Sequence, residues 1–251
     1  MAAKNRPLLA DLEQELRFLS EIGADFVFAP AAKDGPRPER KGTAGEPAKA
    51  EISPAVTARK PAGEKQRVLQ AAEEKILRCT LCPLSRGRTR AVPGEGSYEA
   101  PLMFVGEGPG ADEDIQGRPF VGRAGQLLTK IVAAMDFTRK DVYITNVVKC
   151  RPPQNRTPAR DEIEKCRPYL LTQIETIAPR VIVCLGRVAT DFFHPSAAGM
   201  SSLRGNFVEY GNILVMPTFH PSYLIRNEGN KEIKKLVWQD MQKVMAALSR
   251  K

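Results

Sequence analysis

Four cysteines have the spacing of a metal centre. Cys79 and Cys82 form a CxxC pair in CTLC, Cys150 follows in KCRPP, and Cys166 comes sixteen residues after it. Paired thiolates at that spacing grip one centre, and four of them suit either Zn²⁺ or a [4Fe–4S] cluster. The plain alternative is four unligated core thiols. Cys184, inside VIVCLG, is read that way, as a small buried hydrophobe. The loop CRPPQNRTPARDEIEKC carries Arg151, Arg156, Arg160 and Lys165, which makes it a phosphate-contacting edge beside the centre.

A second cluster is GEGPGADEDIQGRPF, residues 106–120. Gly106, Gly108 and Ala111 fit the dinucleotide pattern G-x-G-x-x-G/A by letter. Pro109 interrupts the turn, however, and Asp112, Glu113 and Asp114 put negative charge where a pyrophosphate needs a bare helix N-terminus. No acid closes the next apolar run, which ends in TNVVK, so a ribose has no holder. A dinucleotide cofactor is not expected. The loop offers close backbone approach to a flat ligand, carboxylates to steer water, and Phe120 to stack on a ring; core packing is the alternative for Phe120. Arg118 and Arg123 flank Phe120 as candidate phosphate contacts, while Arg86, Arg88, Arg90 and Lys149 read as solvated faces.

The chain has two histidines. His220, in TFHPSYLIRN, follows an apolar run, and Pro221 stiffens the backbone after it, which would hold an imidazole at a cleft edge. His194, in FFHPSAAG, has no such company and reads as structural.

These residues need a scaffold, and the apolar periodicity predicts one. Helices are expected over 65–78, 122–135, 160–177, 187–193 and 230–249, with strands over 101–106, 142–146, 181–185 and 213–217. Short apolar strands alternating with helices make an α/β fold, a three-layer α/β/α sandwich around a central parallel sheet of about four strands. Sites in such sheets lie beyond the carboxyl ends of strands. Gly106–Gly110, Asn146 and His220 all fall there. Trp238 is expected in the core of the last helix.

Upstream, leucines and Phe18 at helical spacing over residues 7–22 predict a short amphipathic helix, within an N-terminal segment 1–29. Residues 30–64 are expected to be a disordered linker: six prolines and four glycines fall there, with Ile52 and Val56 the only large aliphatics. The globular domain is then 65–251. Across the 251 residues, 42% are hydrophobic, enough for one substantial core, and the net charge of +9 points to a polyanionic partner. No apolar run approaches the ~20 residues that span a bilayer. The charge-broken N-terminus lacks a signal-peptide core, so a cytoplasmic protein without a membrane partner is expected.

Taken together, GEGPGADEDIQGRPFVGRAGQLL, YITNVVKCRPPQNRTP and HPSYLIRN resemble the family 4 uracil-DNA glycosylases, iron–sulfur members of the uracil-DNA glycosylase superfamily. The likeness runs from about Cys79 to Trp238. It implies a monomeric base-excision repair enzyme that flips uracil out of single- or double-stranded DNA and hydrolyses its N-glycosidic bond. The resemblance implies a [4Fe–4S] cluster on Cys79, Cys82, Cys150 and Cys166. It puts Phe120 on the uracil face and Asn146 on its polar edge, with backbone from Gly106 and Gly108 near the base. His220 would donate to O2 as charge develops, and Glu107 or Glu113 would orient the water. Better-known superfamily members carry an aspartate where this chain has Gly108, so the choice between the two glutamates stays open. Arg118, Arg123, Arg156 and Arg226 are the expected DNA contacts, and Leu224, Ile225 or Arg226 would fill the gap left by the flipped base. The region SAAGMSSLRGNF lacks the histidine with which a related branch traps DNA covalently, so turnover is expected. Residues 1–64 lie outside the likeness and are available to a repair partner. The rival readings are a non-catalytic nucleic-acid adaptor stapled by a metal centre, and a relaxed glycosylase acting on thymine or hypoxanthine.

Overall fold

The computed structural model describes residues 60–249, together with Ser20. The helix expected over 7–22 and most of the linker 30–64 therefore lie outside the described residues.

Among the described residues the sheet has six strands, numbered in chain order and lying side by side as β1-β3-β2-β4-β6-β5. They are β1 (Glu95–Gly96), β2 (Leu102–Gly106), β3 (Tyr143–Asn146), β4 (Val181–Leu185), β5 (Val208–Tyr210) and β6 (Ile213–Thr218). The inner four pair in parallel, with Phe104 opposite both Ile144 and Val183, and Val183 opposite Met216. Strands β2 and β4 are buried along their whole length, which is why LMFVG and VIVCL read as continuous apolar runs without a polar face. Side chains alternate between two cores. Leu102 and Phe104 pack with Leu128, Ile131, Trp238 and Val244 on one face, while Met103 and Val105 pack with Leu69, Leu170, Ile174 and Phe192 on the other.

Helices α1 (Ala62–Leu77), α5 (Arg160–Ile177) and α6 (Arg187–Phe193) supply the second core, and α4 (Arg123–Ala134) and α9 (Lys231–Ser249) the first. That is the expected three-layer sandwich, with Trp238 and Cys184 fully buried as expected. Between these lie the short helices α2 (Leu84–Gly87), α3 (Ala111–Gln116), α7 (Met200–Leu203) and α8 (Pro221–Arg226). Among the described residues no helix is long and apolar enough to cross a membrane.

The expected four strands are the parallel core; the sheet gains an antiparallel strand at each edge, β1 on β3 and β5 on β6. Neither edge announces itself in the sequence. β1 is two residues long, preceded by Gly94 and ending in Gly96, both at positive φ. Gly96 is required there because a Cβ would stand 1.9 Å from the Val142 carbonyl oxygen. β5 is only three residues long and partly buried, too short for its alternation to stand out. The first helix starts at Ala62, behind Pro61, inside the last residues read as linker.

Because β2, β3, β4 and β6 run parallel, their carboxyl ends share one edge of the sheet. Gly106, Asn146, Gly186 and His220 all emerge there.

Candidate active site

The edge opens into a cleft of about 700 Å³ lined by Glu107, Gly108, Glu113, Phe120, Asn146 and His220, with Arg156, Gly186, Arg187, Phe219, Tyr223 and Arg226 among its other walls. Four strand ends and the loops that follow them, remote in sequence, thus meet in one place.

Phe120 is 6% exposed and sits at φ +52°, a left-handed backbone that costs a bulky residue on the order of 1–3 kcal/mol. A set of contacts holds it there. Arg139 donates to the Phe120 carbonyl at 3.0 Å and to the Pro119 carbonyl at 2.6 Å, and its Nε donates to Glu95 at 2.8 Å. Glu113 Oε1 accepts from the N–H groups of Val121 and Gly122 at 2.8 and 2.9 Å. Gly125 has no Cβ because one would lie 1.9 Å from the Phe120 carbonyl. The Phe120 ring is thereby fixed with its centroid 5.9 Å from that of His220, at 33° between planes. A Cβ on Gly106 would meet the same ring at 2.5 Å and Asn146 Oδ1 at 2.4 Å, so only glycine fits between them.

Asn146 ends β3 and is 1% exposed. Its Oδ1 is buried and, among the described residues, has no hydrogen-bond partner. An unmet buried acceptor costs about 1–3 kcal/mol, so its persistence in a cleft wall marks a place for a ligand's N–H.

His220 caps α8. Its Nδ1 accepts from the Ser222 N–H at 3.1 Å, with the Ser222 hydroxyl at 2.7 Å. Burial first, and then the Arg226 charge, push its pKa down to about 4, with Glu113 opposing. The ring is neutral near pH 7, and with Nδ1 accepting, its hydrogen is on Nε2. Gly186, at φ +87°, comes close behind the ring: a Cβ there would lie 3.0 Å from His220 Cβ.

The two glutamates have different surroundings. Glu113 is engaged by three backbone N–H groups, those of Val121 and Gly122 and, through Oε2, that of Gly110 at 3.0 Å. Its neighbour Asp114 is 3% exposed and accepts from the Thr89 N–H at 2.9 Å. These acids tie loops together. Among the described residues Glu107 has no such backbone claim on its carboxylate; burial raises its pKa, opposed by a hydrogen bond with Thr157.

Cys79, Cys82, Cys150 and Cys166 line one small cavity with Lys149 and Tyr169. Burial raises the Cys150 and Cys166 thiols, Cys166 to about 11. Cys82 adds to the rise at both, Cys79 to that at Cys150, and Cys150 to that at Cys166, so the sulfurs sense one another. Two donors point at them: Arg88 Nη1 at 2.9 Å from Cys150 Sγ and the Lys149 N–H at 3.3 Å from Cys166 Sγ. Among the described residues no three ligand groups close on the position of a single ion; the sulfurs ring a cavity. Four thiols with donors aimed at them fit an anionic, thiolate-held cluster.

Of the arginines, Arg156 and Arg226 line the cleft, whereas Arg118 and Arg123 do not. Arg156 is held bidentate by Glu162 at 2.7 and 2.8 Å. Arg118, 61% exposed, is paired with Glu95 at 2.8 Å, and Arg123 is exposed at the start of α4. Leu224 is 1% exposed within the core, so it is not free to enter a gap in DNA; Tyr223, 36% exposed over Phe219, is at the cleft instead. Two residues read as solvated faces are drawn inward instead: Lys149 is buried, and Arg88 is turned to Cys150 Sγ. Arg139, Gly125, Gly186 and Tyr223 had no sequence signal for these places, apart from a glycine set oddly inside a helical pattern at 125.

A family model, that of the Uracil DNA glycosylase superfamily, matches residues 93–242. A Type-4 uracil-DNA glycosylase of Thermotoga maritima is 46% identical over 188 residues, 74% of this chain and 97% of the relative. A Type-4 uracil-DNA glycosylase of Saccharolobus solfataricus is 44% identical over 192 residues, covering 73% and 88%. One from Archaeoglobus fulgidus is 44% identical over 175 residues, covering 64% and 88%. With that extent of likeness laid over a cleft built by the same segments, the chain belongs to the uracil DNA glycosylase superfamily.

Proposed function

We propose that this protein is a uracil-DNA glycosylase of base excision repair, which takes uracil from DNA into the cleft, hydrolyses its N-glycosidic bond and leaves an abasic site. The observation that carries the reading is the buried, unpartnered Oδ1 of Asn146 beside the clamped ring of Phe120. Uracil supplies what both lack: an N3–H for the amide oxygen, an O4 for the amide nitrogen, and a flat face for the ring.

Bond cleavage leaves an electron-poor sugar and a uracil anion. In this reading His220 donates its Nε2 hydrogen to O2 as charge builds there, a neutral donor already fixed before the reaction. Glu107 orients the water, because the Glu113 carboxylate is engaged in holding the loop. The backbone at Gly106 and Gly108 approaches the base. Arg156 and Arg226 serve the phosphates at the cleft, with Arg118 and Arg123 as outlying contacts. Cys79, Cys82, Cys150 and Cys166 would hold a [4Fe–4S] cluster. Bound there, it supplies a structural cross-link among α1, the segment after β3, and α5. The enzyme acts as a monomer in this reading, with residues 65–251 as the glycosylase domain.

The test is an oligonucleotide with a single uracil, single- and double-stranded, with alkaline cleavage of abasic sites. Strand breaks at uracil, absent with thymine, are expected. A brown, DNA-binding preparation that makes none would overturn the reading in favour of an adaptor.

A further inference from the structure

Asn146 and the cysteine centre are joined by a short run of chain and by one side chain that reaches from one to the other. Lys149 is 1% exposed. It contributes to the wall of the cysteine cavity, and its ammonium donates to Thr145 Oγ1 at 2.6 Å, the Asn146 carbonyl at 2.7 Å and Gln173 Oε1 at 2.8 Å. Every ammonium hydrogen is engaged, each on a neutral acceptor. Volume alone would be filled as well by an apolar side chain without the desolvation penalty. The acceptors are themselves fixed. Gln173 Nε2 donates to the Pro93 carbonyl at 2.8 Å and to Tyr143 at 3.2 Å, and Thr145 Oγ1 lies 3.0 Å from the same carbonyl.

The same segment is tied on its other sides. The N–H groups of Val147 and Val148 donate to the carbonyls of Gly106 and Glu107 at 2.9 and 3.1 Å. The Lys149 N–H donates to Cys166 Sγ, and Cys150 is the next residue. One stretch therefore carries Asn146 at one end and Cys150 at the other, with the Glu107 backbone and Cys166 hydrogen-bonded to it along the way.

We infer that Lys149 is a positioning residue for base recognition: it fastens the peptide bearing Asn146 to the wall of the cysteine centre, so that order at the sulfurs sets the placement of the carboxamide. The inference rests on the reading of Asn146 as the group that meets uracil. It differs from a packing role in what it moves, namely uracil affinity and not fold or DNA affinity.

Full-length, iron-loaded Lys149→Met and Gln173→Met are compared with the unaltered protein for iron content, affinity for uracil-free DNA, and inhibition by free uracil. Gln173 lines neither cavity, so its variant carries the test if Lys149→Met does not fold. Iron content and uracil-free DNA affinity are expected to hold, while uracil inhibition weakens about tenfold, as for one well-placed hydrogen bond lost. KM for the uracil strand should rise with it more than kcat falls. Uracil inhibition unchanged to within about twofold in a folded, iron-loaded variant overturns the inference. If the unaltered protein neither cleaves at uracil nor is inhibited by it, the glycosylase reading itself falls, and this inference with it.

Discussion

At His220, burial and the nearby Arg226 push the pKa down to about 4, and the Ser222 N–H on Nδ1 leaves the ring's hydrogen on Nε2. A donor of that kind needs no protonation step, so kcat governed by His220 should stay level from pH 8 down to about pH 5 and fall only as the ring charges. His220→Asn should lower kcat by about 10²–10³, the size of losing one fixed donor to a developing oxyanion, and leave DNA affinity unchanged. A loss under about tenfold would remove His220 from the chemistry. Stability gives a second readout. The folded pKa lies below the ordinary value of 6.5, so between the two the unfolded chain takes up a proton that the fold refuses. Stability from His220 is present above pH 6.5 and lost as the pH falls toward 4. Denaturation midpoints over that window should drop more in the unaltered protein than in His220→Asn. The histidine, Phe120 and Asn146 were legible in the sequence because each is a residue type with few reasons to sit at a strand end or after a glycine loop. The partners of Glu113 were not, since they are backbone N–H groups that only the folded loops bring together.

Among the elements, α4 carries a residue that runs against helix propensity at the site itself. Gly125, in its first turn, would by ordinary helix preference gain about 0.5–1 kcal/mol on replacement with alanine. Here the sign should reverse. A Cβ at 125 would lie 1.9 Å from the Phe120 carbonyl oxygen and carbon, so helix start and Phe120 loop cannot both stay where they are. Gly125→Ala is expected to lower the thermal midpoint and to weaken both uracil inhibition and kcat/KM by about tenfold or more, through a displaced ring. A stabilised, fully active Gly125→Ala would show that the loop has another way to seat Phe120. The parallel strands and long helices could be read from periodicity, because burial on both faces leaves a continuous apolar run. The short edge strands could not: Glu95–Gly96 is set by where the chain meets β3 and by Arg139 and Arg118 gripping Glu95, contacts between segments 23 and 44 residues apart.

The whole molecule places the cleft and the four-cysteine cavity at the two ends of the run from Asn146 to Cys150, and that cavity reaches on to the end of α1. That helix packs against α5 through residues such as Leu69 and Ile174 in the second core, and Lys65 reaches the Ile177 carbonyl at 3.1 Å. Cys79 and Cys82 follow the helix directly, while Cys150 and Cys166 belong to the segment after β3 and to α5. A centre held by all four would fasten these three pieces together, and losing one ligand would free the helix end and the reading segment at once. Cys150→Ser should therefore lose iron and visible colour and lower the thermal midpoint by about 10 °C, as a loss of a few kcal/mol does in a domain of this size. Cleavage by a protease should then begin near residues 78–90. Cys184→Ala serves as the control: it is buried in β4, outside the cysteine cavity, and should cost stability through a lost thiol contact while keeping iron and colour. Equal iron in both variants would separate Cys150 from the centre; equal stability with iron lost only from Cys150→Ser would show that the fold holds the four thiols in place without the cross-link.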